Sequence, residues 1–199
     1  MVIQKLENLS CNTQIKISLC ILGAALLFFS CKQHSILKQE FNCKESFFSN
    51  VKEIKGPNGN FSAQVPSNWK INRFTDAIQS SIYGADTTKQ LTKTILLDLS
   101  YISNTIEINE LFKLKVENEN LSNKLIQKKS KELNFLNKPS YYVISIGKKG
   151  SYNYKSLQLF ISANKEKTML VKVEIYGDSL VDERLCKAIT LIEKIKIHS

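Results

Sequence analysis

The chain has 199 residues, and its 28 lysines and arginines against 18 aspartates and glutamates give a formal net charge of +10. Only two histidines occur, His34 before the predicted domain and His198 as the penultimate residue, so neither a Ser-His-Asp nor a Cys-His catalytic arrangement is expected. The seven glycines stand singly, which argues against a phosphate-binding glycine-rich loop.

The first element in the chain is an apolar run over residues 17–29 in which only Ser18 is polar. A membrane-spanning helix needs about 20 apolar residues, whereas the apolar part of a signal peptide has roughly 7–15 and follows positive charge. Lys5 and Lys16 supply that charge. The run therefore predicts an export signal over residues 1–30.

The end of this signal, Phe28-Phe29-Ser30-Cys31-Lys32, resembles Bacteroidetes-type lipoprotein signals, in which FxSCK endings are common. Most lipoprotein signals have leucine three positions before the cysteine, where this chain has phenylalanine. The resemblance implies that Cys31 is lipidated and holds the protein on a membrane of the bacterial cell envelope, facing the periplasm or the cell surface. The alternatives are an uncleaved signal anchor and an apolar core helix.

The five cysteines divide according to this signal. Cys11 and Cys20 leave with it and Cys31 carries lipid, so Cys43 and Cys186 remain. An even pair in an oxidising compartment predicts a disulfide between them, and the alternative is two separate thiols.

The mature chain is predicted to begin with a polar tether over residues 31–54, followed by one domain over 55–199. Its excess of lysine suits contact with anionic lipid, polysaccharide or an acidic partner, but lysine-rich, asparagine-rich composition is also ordinary in some proteomes. Nucleic acid is not expected as a partner of an exported chain, and no recognised nucleic-acid-binding motif is present.

In the first half of the domain, apolar and polar residues alternate as they do in short strands. The clearest case is the segment in which Leu97, Leu99 and Tyr101 share one face opposite Asp98 and Ser100. The predicted strands are 61–65, 67–74, 80–85 and 94–103. A helix follows, with apolar residues at helical spacing from Ile108, and the polar run 118–123 is predicted to end it. Glu107 and Glu110 near its start are interpreted as helix-dipole charges rather than metal ligands.

The second half predicts an edge strand over 124–135 and then an antiparallel meander with short polar connections. The strands of the meander are 141–147, 154–163 and 169–176. A final amphipathic helix over 180–195 is predicted to have Ser179 as its N-cap. Strands with helices between and after them predict an α+β domain, a central antiparallel sheet flanked by helices.

The segment Phe61-Ser-Ala-Gln-Val-Pro66-Ser-Asn-Trp69 resembles the F-x-x-x-x-P-x-x-W opening hairpin of the PsbP-like family, whose fold is shared with the Ran-binding Mog proteins. The resemblance extends, in element order, over most of residues 55–197. It implies an α/β/α sandwich and a non-catalytic role, since PsbP supports the oxygen-evolving complex of photosystem II and Mog proteins bind a GTPase. It supplies no catalytic residues.

These features together predict a lipid-anchored, non-catalytic binding or accessory module of the cell envelope, with an envelope protein as its partner and no cofactor or metal. The alternative is an envelope hydrolase that uses carboxylates alone. Such an enzyme would bring two carboxylates to about 5–9 Å from each other in a deep pocket.

Overall fold

The computed structural model describes residues 35–198. The predicted signal and Cys31 lie outside the described residues. No helix within 35–198 has both the length and the apolar character needed to cross a membrane.

Ten strands form two sheets. The small sheet contains β1 Val51–Lys55, β2 Phe61–Pro66 and β10 Lys196–Ile197. The large sheet contains β3 Lys70–Thr75, β4 Gln79–Ala85, β5 Leu96–Ile102, β6 Leu125–Phe135, β7 Lys138–Lys149, β8 Tyr152–Ser162 and β9 Thr168–Tyr176. Their orders are β1-β2-β10 and β3-β4-β5-β9-β8-β7-β6, and every pairing is antiparallel.

Within residues 35–198, three α-helices accompany the sheets: α1 Ile36–Glu40, α2 Glu110–Ser122 and α3 Val181–Ile192. The first face of the large sheet carries the main core, where Leu99, Leu157 and Val171 pack with Ile189 of α3 and Phe61 of the small sheet. This arrangement buries the alternating apolar residues of the meander strands.

The second face of the large sheet is only half covered. Val116 of α2 packs against Tyr141 and Val143 of β7, and Phe112 meets Phe160 of β8 edge-to-face with ring centroids 5.1 Å apart. Within the described residues, no helix covers the part of this face formed by β3, β4, β5 and β9. That open half is where a site can form.

The α+β class, the strands of the large sheet and the meander are confirmed, and β6 is an edge strand as predicted. The middle helix ends within the segment 118–123 as predicted, because Ser122 is its last residue and Asn123 is its C-cap. The predicted N-cap of the final helix is wrong. Leu180, in a left-handed conformation with φ 50°, takes the N-cap position of α3, and no side chain caps the helix there.

The segment predicted as a tether is folded from Ser35 onward, which corrects the boundary at residue 55. The Ser35 hydroxyl caps α1 by accepting from the Lys38 N–H at 3.0 Å, and Leu37 is fully buried in the main core. β1 then pairs along its whole length with β2. Residues 31–34 lie outside the described range.

Two further links hold α1 in place. Glu40 accepts from Lys131 at 2.6 Å, Lys129 at 2.8 Å and the Tyr142 hydroxyl at 2.9 Å, and these three donors lower the pKa of its carboxyl to about 2. The second link is a Cys43–Cys186 disulfide, with Cα atoms 5.3 Å apart, which ties this segment to α3. The pairing agrees with the one predicted from the cysteine count.

Candidate functional site

The strand register builds a polar row across the open half of the second face. Lys172 of β9 lies opposite Asp98 of β5, Asp98 lies opposite Tyr83 of β4, and Tyr83 lies opposite Asn72 of β3. Glu174 is two residues after Lys172 and therefore points to the same side of the sheet. The three successive strands β3, β4 and β5 and the distant strand β9 thus place their polar side chains together.

These side chains line a depression of about 380 Å³, a volume within the range of small-ligand sites. The polar residues that line it are Lys70, Asn72, Tyr83, Thr87, Asp98, Lys172 and Glu174. Backbone and apolar atoms from Gly84, Leu96 and Leu97 complete its wall.

Asp98 is the residue of this depression with the least compensation for its charge. Its carboxylate accepts from the Ser100 hydroxyl at 2.7 Å, and Ser100 in turn bonds with the Ser81 hydroxyl at 2.9 Å. No lysine or arginine nitrogen of residues 35–198 lies within ion-pair distance, so burial raises the pKa of Asp98. A carboxyl in this state gains from a ligand that donates a hydrogen bond to it.

Glu174, in contrast to Asp98, has partners that stabilise its negative charge. Lys172 pairs with its Oε1 at 2.6 Å and the Tyr176 hydroxyl donates to its Oε2 at 3.0 Å. Burial alone would raise the pKa of Glu174, but hydrogen bonds from Lys172 and Tyr154 outweigh it and lower the pKa. Glu174 is therefore ionised and has both oxygens engaged, while Asp98 is available.

Two exposed aromatic side chains lie on this face, one within the polar row and one next to it. Tyr83 is 41% exposed and Phe74 of β3 is 48% exposed. Phe74 lies opposite Ser81 in the register, so the two rings are diagonal neighbours on adjacent strands of the same face. The depression thus has a polar floor and an aromatic margin, in which Tyr83 lines the depression and Phe74 lies next to Tyr83 on the neighbouring strand.

The residues singled out from the sequence lie elsewhere. Cys43 and Cys186 form a bridge on the covered side of the sheet, and Glu110 pairs with Lys113 on α2. Glu107 lines a separate, more open depression of about 440 Å³ beside the start of α2. No three histidine, cysteine, aspartate or glutamate side chains of the described region form a group suited to a metal ion.

Sequence reasoning missed the site itself. It placed Asp98 on the polar face of β5, and Lys172 and Glu174 on the polar face of β9, without joining the two faces. The available signal was charge within strands that are otherwise strongly apolar.

Several solved structures are similar to this chain. CyanoP, the cyanobacterial PsbP of Synechocystis sp., is 11% identical, has a TM-score of 0.50, and matches 78% of this chain and 97% of its own. Its likeness confirms the PsbP-like fold and extends to the fold alone. No family model and no curated protein matches the sequence.

Two further structures give lower scores. The Ran-binding protein Mog1p of Saccharomyces cerevisiae is 12% identical, with a TM-score of 0.47 over 74% of this chain and 95% of its own. LpqN of Mycobacterium tuberculosis, which is involved in cell envelope biogenesis, is 12% identical, with a TM-score of 0.46 over 75% of this chain and 92% of its own.

Proposed function

We propose that this protein is a lipoprotein of the bacterial cell envelope, anchored through acylated Cys31, which acts as a non-catalytic binding or accessory module. The observation that carries the binding role is the open half of the second sheet face, with its depression around Asp98. The anchor is supported by the signal-like segment that ends at Ser30-Cys31.

Anchoring at Cys31 would hold the domain close to its membrane. Ser35 already belongs to the folded domain, so only four residue steps separate it from Cys31. A fully extended chain spans at most about 3.6 Å per residue, which limits this distance to about 14 Å. The partner is therefore a molecule found at or near the membrane surface.

The anchor makes a direct prediction for Cys31→Ser. The wild-type protein should incorporate labelled fatty acid and fractionate with membranes, and the variant should lose the label and leave the membrane fraction. Cys20→Ser is the matched control, because it removes a cysteine from the segment that cleavage discards. A Cys31→Ser protein that stays uncleaved and membrane-bound would establish the signal anchor instead.

The binding role can be tested by site-specific photo-crosslinking in intact cells. A benzophenone side chain at Phe74, on the open half of the second face, should give discrete crosslinked species with an envelope component. The same group at Phe47, which is 84% exposed in the segment before β1, is the control and should give none. Equal patterns from the two positions would contradict a specific role for the open half.

One observation favours the hydrolase as a second candidate. Asp98 and Glu174 are diagonal neighbours on adjacent strands, positions whose Cα atoms lie about 7–8 Å apart, and their pKa values move in opposite directions. Inverting glycosidases use carboxyl groups about 6.5–9.5 Å apart, one protonated and one ionised. We favour binding because the Glu174 carboxylate already pairs with Lys172 and accepts a hydrogen bond from Tyr176. Release of reducing ends from isolated envelope polysaccharide, abolished by Asp98→Asn, would establish the enzyme.

A further inference from the structure

We propose that the depression around Asp98 binds a neutral sugar or short oligosaccharide, an inference that rests on the binding function proposed above. The charges that line the depression balance, because Lys70 and Lys172 oppose Asp98 and Glu174. A site with balanced charge gives neither an anion nor a cation a net electrostatic advantage. A neutral ligand fits this balance best.

Hydrogen bonding points to a ligand with hydroxyl groups. The Asp98 carboxylate has one side-chain donor in the described region, Ser100, and can accept more hydrogen bonds than that. Asn72, two strands away on β3, offers both donor and acceptor groups, and Lys70 on the same strand offers donors. A hydroxyl both donates and accepts, so the hydroxyl groups of a sugar or short oligosaccharide suit this set of groups.

The aromatic margin supplies the other half of sugar recognition. Tyr83 and Phe74 present exposed ring surface beside the polar row, and the C–H face of a pyranose is an apolar surface that can pack on it. A wholly apolar ligand such as an acyl chain is disfavoured, because it would cover Asp98 and add no donor to the one that Ser100 supplies. The combination of polar floor and aromatic margin therefore selects a polyhydroxylated ring.

The test uses the mature protein extracted from membranes in a detergent without sugar, such as an amine oxide, because maltoside detergents would compete. Saturation-transfer NMR is recorded with maltotriose, cellotriose and chitotriose as separate probes. We expect transfer to the ring protons of at least one probe. Tyr83→Ala and Asp98→Asn should each weaken binding about tenfold, the change produced by losing one strong contact.

Tyr152→Ala is the matched control, because Tyr152 is 42% exposed at the β7–β8 turn, outside the depression, and its loss should leave binding unchanged. Circular dichroism verifies that each variant is folded. Transfer that all three variants retain would show that sugar binds elsewhere and would overturn the inference. No transfer to any probe would also overturn it. The Phe74 crosslinking experiment then decides separately whether the open half binds anything, so the two proposals can fail independently.

Discussion

The Cys43→Ser, Cys186→Ser double variant is expected to lose about 2–5 kcal/mol of the free energy of unfolding, more than any surface substitution would cost. The bridge joins residues 143 positions apart, so it constrains nearly the whole described chain in the unfolded state. In the chain-entropy model, a loop of this length contributes about 5 kcal/mol. Urea unfolding followed by circular dichroism measures the loss.

The slope of the urea transition provides a second readout. Without the bridge the unfolded chain expands further, so the dependence of the free energy on urea should become steeper. Cys31→Ser, which keeps both bridging cysteines, is the control and should unfold at the wild-type urea concentration. A double variant with an unchanged midpoint would show that the native bridge contributes nothing net to stability.

The success of the sequence prediction follows from where the apolar residues lie. In β5, β8 and β9 the positions that face the main core are apolar at every second residue, because one face is buried along most of each strand, and period-2 patterning reports that directly. α1 could not be predicted in this way. Leu37 is its only buried residue, and the ion pairs of Glu40 and the distant Cys186 hold it in place. Those partners are close only in the folded chain.

The candidate site also depends on residues that are close only in the folded chain. Alternation places Asp98 and Lys172 on polar faces, but the β5–β9 register that brings them opposite each other is set by the whole sheet. On that face, α2 buries the half formed by β7 and β8. The half formed by β3, β4, β5 and β9 stays open. A single sequence reports which residues face outward and cannot report what covers them.

Arg184→Met is expected to lower the free energy of unfolding by about 2–4 kcal/mol, because Arg184 is a buried cation that only backbone carbonyls satisfy. Its side chain, in a residue that is 6% exposed, donates to the carbonyls of Thr94, Tyr176 and Ser179 at 3.0, 2.9 and 3.1 Å. Burial lowers the pKa of Arg184. Methionine fills similar space and leaves the carbonyls of Thr94 and Tyr176, which belong to buried residues, without these donors.

The comparison of variants separates geometry from charge. Arg184→Lys keeps the charge, but an ammonium lacks the planar fork that reaches all three carbonyls, so it should lose at least as much stability as Arg184→Met. Arg73→Met is the control, since Arg73 is exposed on β3 and should change stability by less than about 0.5 kcal/mol. A stable Arg184→Lys would show that charge alone suffices. Thr94 precedes β5 and Tyr176 ends β9, so the carbonyls bound by Arg184 lie at the strand ends that carry Leu96 and Glu174 of the depression. Arg184, buried beneath the sheet ends, therefore helps to position the residues of the depression.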